Sequence, residues 1–69
     1  MNIFSAKINS LSRELSELYE KKGEKISEFY RRSDITTKNI YEDIRKIDML
    51  IHMVEFEILS KKIYYFMNY

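Results

Sequence analysis

The stretch from residue 34 to residue 68 carries apolar side chains on two opposite sides of what its spacing predicts to be one long helix. The first stripe comprises Ile40, Ile44, Ile47, Ile51, Val54, Ile58 and Tyr65, and the second stripe comprises Met49, Met53, Phe56, Ser60, Ile63 and Met67. In both sets, spacings of four and three residues alternate, which is the period of a helix face packed on another helix. A helix that is apolar on two sides must be covered on two sides, and this demand constrains the rest of the fold.

The N-terminal part of the chain, from about residue 3 to 31, carries a single apolar stripe. Its members are Phe4, Ile8, Leu11, Leu15, Leu18, Lys22, Ile26 and Phe29. The opposite face, with Arg13, Glu17 and Glu20, is charged, as expected for a solvent-exposed helix surface. Gly23 does not shift the stripe, and a glycine inside a helix costs only about 1 kcal/mol. A continuous first helix, bent or frayed near Gly23, is therefore favoured, although Lys21, Lys22 and Gly23 also resemble the end of a helix.

The scarcity of turn-forming residues favours an all-α fold. The sequence has no proline and one glycine among its 69 residues. A serine, an aspartate and two β-branched threonines predict a turn at about 32–36 and a second helix over about 37–68. Asn39 with Glu42 forms a second capping signature, which leaves open a later start near Ile40.

A short connection between two long helices predicts an antiparallel helical hairpin. The expected hairpin core consists of Ile8, Leu11, Leu15, Leu18, Ile26, Phe29, Ile44, Ile47, Ile51, Val54 and Ile58. The second stripe then has no cover within one chain, and an apolar surface of this extent normally marks an interface. A homodimeric four-helix bundle, coiled-coil-like in its packing, is expected. Its self-association residues would be Met49, Met53, Phe56, Ile63 and Met67.

Composition argues against several classes of function. Twelve basic and eleven acidic residues nearly cancel, and the chain has no cysteine. Neither a general attraction to nucleic acid or anionic lipid nor a disulfide framework is expected. His52, with Asp48 or Glu55 nearby, is the single candidate metal ligand, but the Glu-x-x-His repeats of metal-binding bundles are missing. No catalytic residue, metal or cofactor is therefore predicted, and an enzyme is not expected.

Two features leave alternative partners open. The basic pairs Lys21-Lys22, Arg31-Arg32 and Lys61-Lys62 suggest a nucleic-acid-binding bundle as a second hypothesis, although neighbouring acids dilute them. The aromatic C-terminus is expected to close the open end of the bundle over Phe4 and Ile8. Alternatively it binds a partner protein through Tyr64, Tyr65 and Tyr69, or lies at a membrane interface.

Residues 11–23 and 47–51 carry a resemblance to a known family. Together they resemble the small two-helix phosphatases that dephosphorylate the sporulation response regulator. Those proteins carry Ser-Gln-Glu-Leu-Asp on the second helix; here Asp48 matches the final Asp, and Ile44 stands at the place of the Ser. The resemblance implies a response-regulator phosphatase as a remote alternative function.

The leading interpretation is a small non-enzymatic interaction module or regulator that self-associates through the second helix and binds another protein. The N-terminus lacks the three regions of a signal peptide, so an intracellular protein is expected. The abundance of Ile, Lys, Tyr and Asn is typical of AT-rich genomes such as those of viruses, phages or low-GC bacteria.

Overall fold

A computed structural model describes residues 3–32 and 37–67, except for the side chains of residues 3 and 4. It contains two helices, α1 (Ile3–Arg31) and α2 (Thr37–Met67). The two helices pack against each other, which confirms the predicted all-α helical hairpin. Of the predicted turn, Arg32 is non-helical, and residues 33–36 lie outside the described residues.

The helices run antiparallel, as cross-helix contacts at three levels indicate. As the residue number rises along α1, the number of its partner on α2 falls. The contacting pairs are Tyr19 with Glu55, Lys22 with Asp48, and Lys25 with Asp43.

Helix α1 continues through Gly23 without interruption, as the unbroken phase of its stripe predicts. None of the described residues has the left-handed backbone conformation that would require glycine. A methyl group at Gly23 would have no atom within 4 Å beyond its own turn of α1 and its chain neighbours. Gly23 therefore serves neither a turn nor a close helix–helix approach.

The core lies between the two helices and is small. Among the described residues, three apolar side chains are buried, namely Ile40, Ile51 and Val54, with 5%, 3% and 7% of their surface exposed. All three belong to the first stripe, although the expected core began only at Ile44. The other expected core residues, Ile8, Leu11, Leu15, Leu18, Ile26, Phe29, Ile44, Ile47 and Ile58, are half-buried. Half-burial follows from the architecture, because each helix has only one neighbour to cover it.

The hairpin is a single layer of two helices. Its Cα atoms extend over 53 × 18 × 11 Å, so it is one helix thick in its smallest dimension. Its accessible surface is 5883 Å². A compact monomer of this length exposes about 4,700 Å². The excess, about 1,200 Å² by difference, reflects helix sides that have no neighbour in the chain.

Candidate interaction surface

The second stripe is exposed on the side of α2 that faces away from α1. At 100° per residue, its members lie within about 40° of a common line that is roughly opposite the first stripe. Met49, Met53, Phe56, Ile63 and Met67 are between 49% and 80% exposed. Ser60, between Phe56 and Ile63, is exposed as well. The five residues predicted for self-association thus lie exposed along one side of α2, with Ser60 among them.

Three further apolar side chains widen this surface. Leu50, Leu59 and Phe66 are each about half to four-fifths exposed, at 48%, 54% and 78%. They lie about 80° to 100° around the helix from the centre of the second stripe. They are therefore outside the stripe that a spacing of three and four residues defines. On α1, by contrast, the only large exposed apolar side chains among the described residues are Tyr19 and Tyr30.

The apolar surface covers only the C-terminal part of α2. In the first three turns, the same side of the helix carries Lys38, Glu42, Arg45 and Lys46, all exposed. Glu42 and Lys46 continue the spacing of the second stripe toward the N-terminus. The outer side of α2 is therefore divided into a charged part and an apolar part that begins at Met49.

One edge of the helix–helix seam is held by polar contacts. The Lys22 Nζ atom lies 2.6 Å from the Asp48 Oδ1 atom, and both side chains are about one-third exposed. The hydrogen bond to Asp48 raises the pKa of Lys22 above its ordinary value. Close by, the Tyr19 hydroxyl donates to the Glu55 Oε2 atom at 3.2 Å. Partial loss of hydration, and then this bond, raises the pKa of Tyr19.

The other edge of the seam carries an ion pair between Lys25 and Asp43, with 3.6 Å between Nζ and Oδ2. Asp43 and Asp48 are five residues apart, so they lie about 140° apart around α2, on either side of the first stripe. These pairs direct charged groups to the seam between the helices. The second stripe itself contains no charged side chain.

His52 lies on the border of the second stripe. Its side chain is 80% exposed, and its Nδ1 atom is 3.6 Å from the Glu55 Oε1 atom. Within residues 3–32 and 37–67, no three His, Cys, Asp or Glu side chains come close enough to form a metal site. Asp48, the one match to the phosphatase signature, is engaged by Lys22 in the seam.

The three basic pairs do not form one patch. Lys22 binds Asp48, the Arg32 Nε atom is 3.6 Å from Glu28, and the Lys61 Nζ atom is 3.8 Å from Glu57. Because the helices are antiparallel, the arginine pair lies at the turn end, the Lys61 pair at the opposite end and the Lys21 pair between them. One member of each pair is thus matched with a carboxylate.

The aromatic residues near the C-terminus are divided between two sides of α2. Tyr65 continues the first stripe and is half-buried, and its ring contacts Phe66 edge-to-face at 6.2 Å between centroids. Tyr64 and Phe66 are 57% and 78% exposed. Of these three rings, only Tyr65 lies on the first stripe, and closure of the bundle end over Phe4 and Ile8 stays a prediction. Tyr69 and the Phe4 side chain lie outside the described residues.

The depressions on the described surface are open grooves between side chains. One of about 400 Å³ is lined by Glu57, Ser60, Lys61 and Tyr64. These residues stand at positions i, i+3, i+4 and i+7, the four corners of a hole on a helix surface. Ser60 is the smallest of the four side chains and belongs to the second stripe.

Within the part of the chain that the structure describes, neither helix combines the length and the apolar character needed to cross a bilayer. No family model, no curated protein and no solved structure matches the chain.

Proposed function

We propose that this chain is a non-enzymatic protein–protein interaction module that self-associates through the second stripe of α2. One observation carries the proposal: five apolar side chains of that stripe are between 49% and 80% exposed on a helix side that α1 does not reach. Contiguous apolar surface of this kind on a soluble chain is typical of an interface.

The amount of exposed surface supports the same conclusion. The hairpin exposes about 1,200 Å² more than a compact monomer of its length would. A stable protein–protein interface covers about 800 Å² on each partner. The excess surface of the whole chain is thus of the size that one such interface would cover.

The shape of the described surface favours binding over catalysis. Substrate sites are usually concave and enclose most of a small ligand. The grooves of this hairpin lie open between side chains on a single layer of two helices, whose Cα atoms span 11 Å in the smallest dimension. A regulator or adaptor that binds another protein fits this architecture.

A dimer formed in this way leaves other surfaces for a second partner. The outer face of α1 is charged, and the exposed ring of Tyr64 lies near the C-terminal end of α2. Aromatic side chains are common in the centres of protein interfaces. We infer that another protein binds at this end, with Tyr64, on the border of the dimer contact, and Tyr65 and Tyr69 as its contacts; the half-buried Tyr65 would contribute only its exposed edge.

Light scattering over a dilution series tests the proposal. We expect the mass of two chains at micromolar concentration and a decrease toward one chain on dilution. Added salt should leave the mass unchanged, because apolar contacts are not screened as charge pairs are. A folded chain that keeps the mass of a monomer at all concentrations would refute self-association.

A further inference from the structure

We propose that the two copies pack antiparallel and offset, so that Phe56 of each copy lies on Ser60 of the other. This inference rests on the proposed function, since it takes the second stripe as the interface. It adds the direction of the two helices and the pairs of residues that meet. The occupant of the apolar surface is thus a second copy of α2.

The spacing of the second stripe permits one antiparallel register in which every member has a partner. In that register a twofold axis near residue 58 relates the two copies. The two residues of each pair are the same number of residues from position 58, one before it and one after it. The resulting pairs are Met49 with Met67, Met53 with Ile63, and Phe56 with Ser60. Shifting one copy by a heptad would place Ile63 and Met67 opposite the charged residues Lys46 and Glu42.

A parallel arrangement is less favourable because it places each residue against its own copy. Phe56 would then face Phe56, and Ser60 would face Ser60, which crowds one layer and leaves a void in the next. Glu42 and Lys46, which continue the same spacing, would face like charges in the second copy. In the antiparallel register, neither charged residue faces a member of the second stripe.

The small side chain of Ser60 leaves space on the second stripe for an aromatic ring of the other copy. An open groove lined by Glu57, Ser60, Lys61 and Tyr64 lies beside it, with the Glu57–Lys61 ion pair along its edge. Phe56 is 71% exposed and is the largest side chain of the second stripe. Packing of a large side chain against a small one gives the interlocked layers of a well-packed helix interface.

The offset also explains why the apolar part of the stripe is short. Pairing from Met49 to Met67 makes an overlap of about 27 Å at 1.5 Å per residue. The charged first turns of α2, with Lys38, Glu42 and Arg45, then lie outside the paired part of the stripe. The division of α2 into a charged and an apolar part thus sets the length of the interface.

Disulfide cross-linking distinguishes the arrangements, because the chain has no cysteine of its own. Met53→Cys and Ile63→Cys chains would be mixed at a concentration where light scattering shows a dimer, and then oxidised. In the antiparallel register, residues 53 and 63 of different copies are adjacent, whereas two copies of residue 53 are about 15 Å apart. A disulfide needs Cα atoms closer than about 7 Å.

We expect the mixed 53–63 disulfide as the main product, identified by mass because the two variants differ in mass. Glu20→Cys, on the exposed face of α1, measures cross-linking by random collision. If the main products are disulfides between two copies of residue 53 and between two copies of residue 63, the antiparallel register is wrong but self-association stands. A dimer with cross-links no higher than the Glu20→Cys control would place the interface elsewhere, and a helical monomer would overturn both proposals.

Discussion

Replacement of Phe56 by aspartate should separate the two copies while leaving the hairpin folded. Burial of a whole Phe side chain is worth about 1.5–3 kcal/mol. Phe56 is 71% exposed in the single chain, so assembly would gain about 1–2 kcal/mol from each copy. A symmetric dimer loses this twice, which raises the dissociation constant roughly 30- to 900-fold. The new carboxylate adds to this loss, because it would lie in an apolar contact.

Light scattering and sedimentation would measure the mass of Phe56→Asp, and circular dichroism its helix content. Tyr30→Asp is the matched control, since it replaces an aromatic side chain that is 82% exposed, but on α1. We expect the control to keep the mass of the unmodified protein. The reasoning is wrong if Phe56→Asp retains both the mass and the melting temperature of the unmodified chain.

Three further predictions concern the hairpin itself. Gly23→Ala should stabilise α1 by about 0.5–1 kcal/mol, since the added methyl group contacts nothing beyond its own turn of the helix. The midpoint of thermal unfolding should rise by roughly 2–8 °C. A lower midpoint would contradict a regular helix at this position. Ile51→Ala should cost about 2–5 kcal/mol because Ile51 is 3% exposed, and an unchanged urea midpoint would show that the core lies elsewhere. The raised pKa of Lys22 means that its contribution to stability is complete below its ordinary pKa of 10.5 and is lost as the pH rises through the higher folded value. Urea unfolding would give the free energy of unfolding at neutral and at strongly alkaline pH for each variant. This free energy should fall less between the two pH values in Lys22→Met than in Lys21→Met, because Lys22→Met has already lost the contact with Asp48. Equal decreases in both variants would contradict a special role for that contact.

The helices and their facing sides follow from local patterns, and therefore could be predicted from the sequence. Spacings of three and four residues specify which side of a helix is apolar, and they correctly indicated the continuous α1 and the exposed second stripe. A local pattern gives no register between two helices. Burial of Ile40 depends on how far α1 reaches along α2, so the expected core missed it by one turn.

The polar contacts across the seam depend on register in the same way. Lys22 occupies a position within the apolar stripe of α1, and the sequence does not show why a charged residue belongs there. The structure provides the reason, because Lys22 meets Asp48 at 2.6 Å across the seam. A charged pair at such a position disfavours sliding of one helix along the other, since any shift would separate the partners.

The small core also connects the amount of folded protein to the availability of a binding partner. Three buried side chains among the described residues give one hairpin little stability of its own. Any protein that binds only the folded hairpin stabilises it, by about 2.7 kcal/mol at a partner concentration one hundred times its dissociation constant. For self-association, that partner concentration is the abundance of the chain itself. Scarce copies would then be exposed to proteolysis and abundant copies protected, so that synthesis rate, more than intrinsic stability, would determine how long each molecule survives.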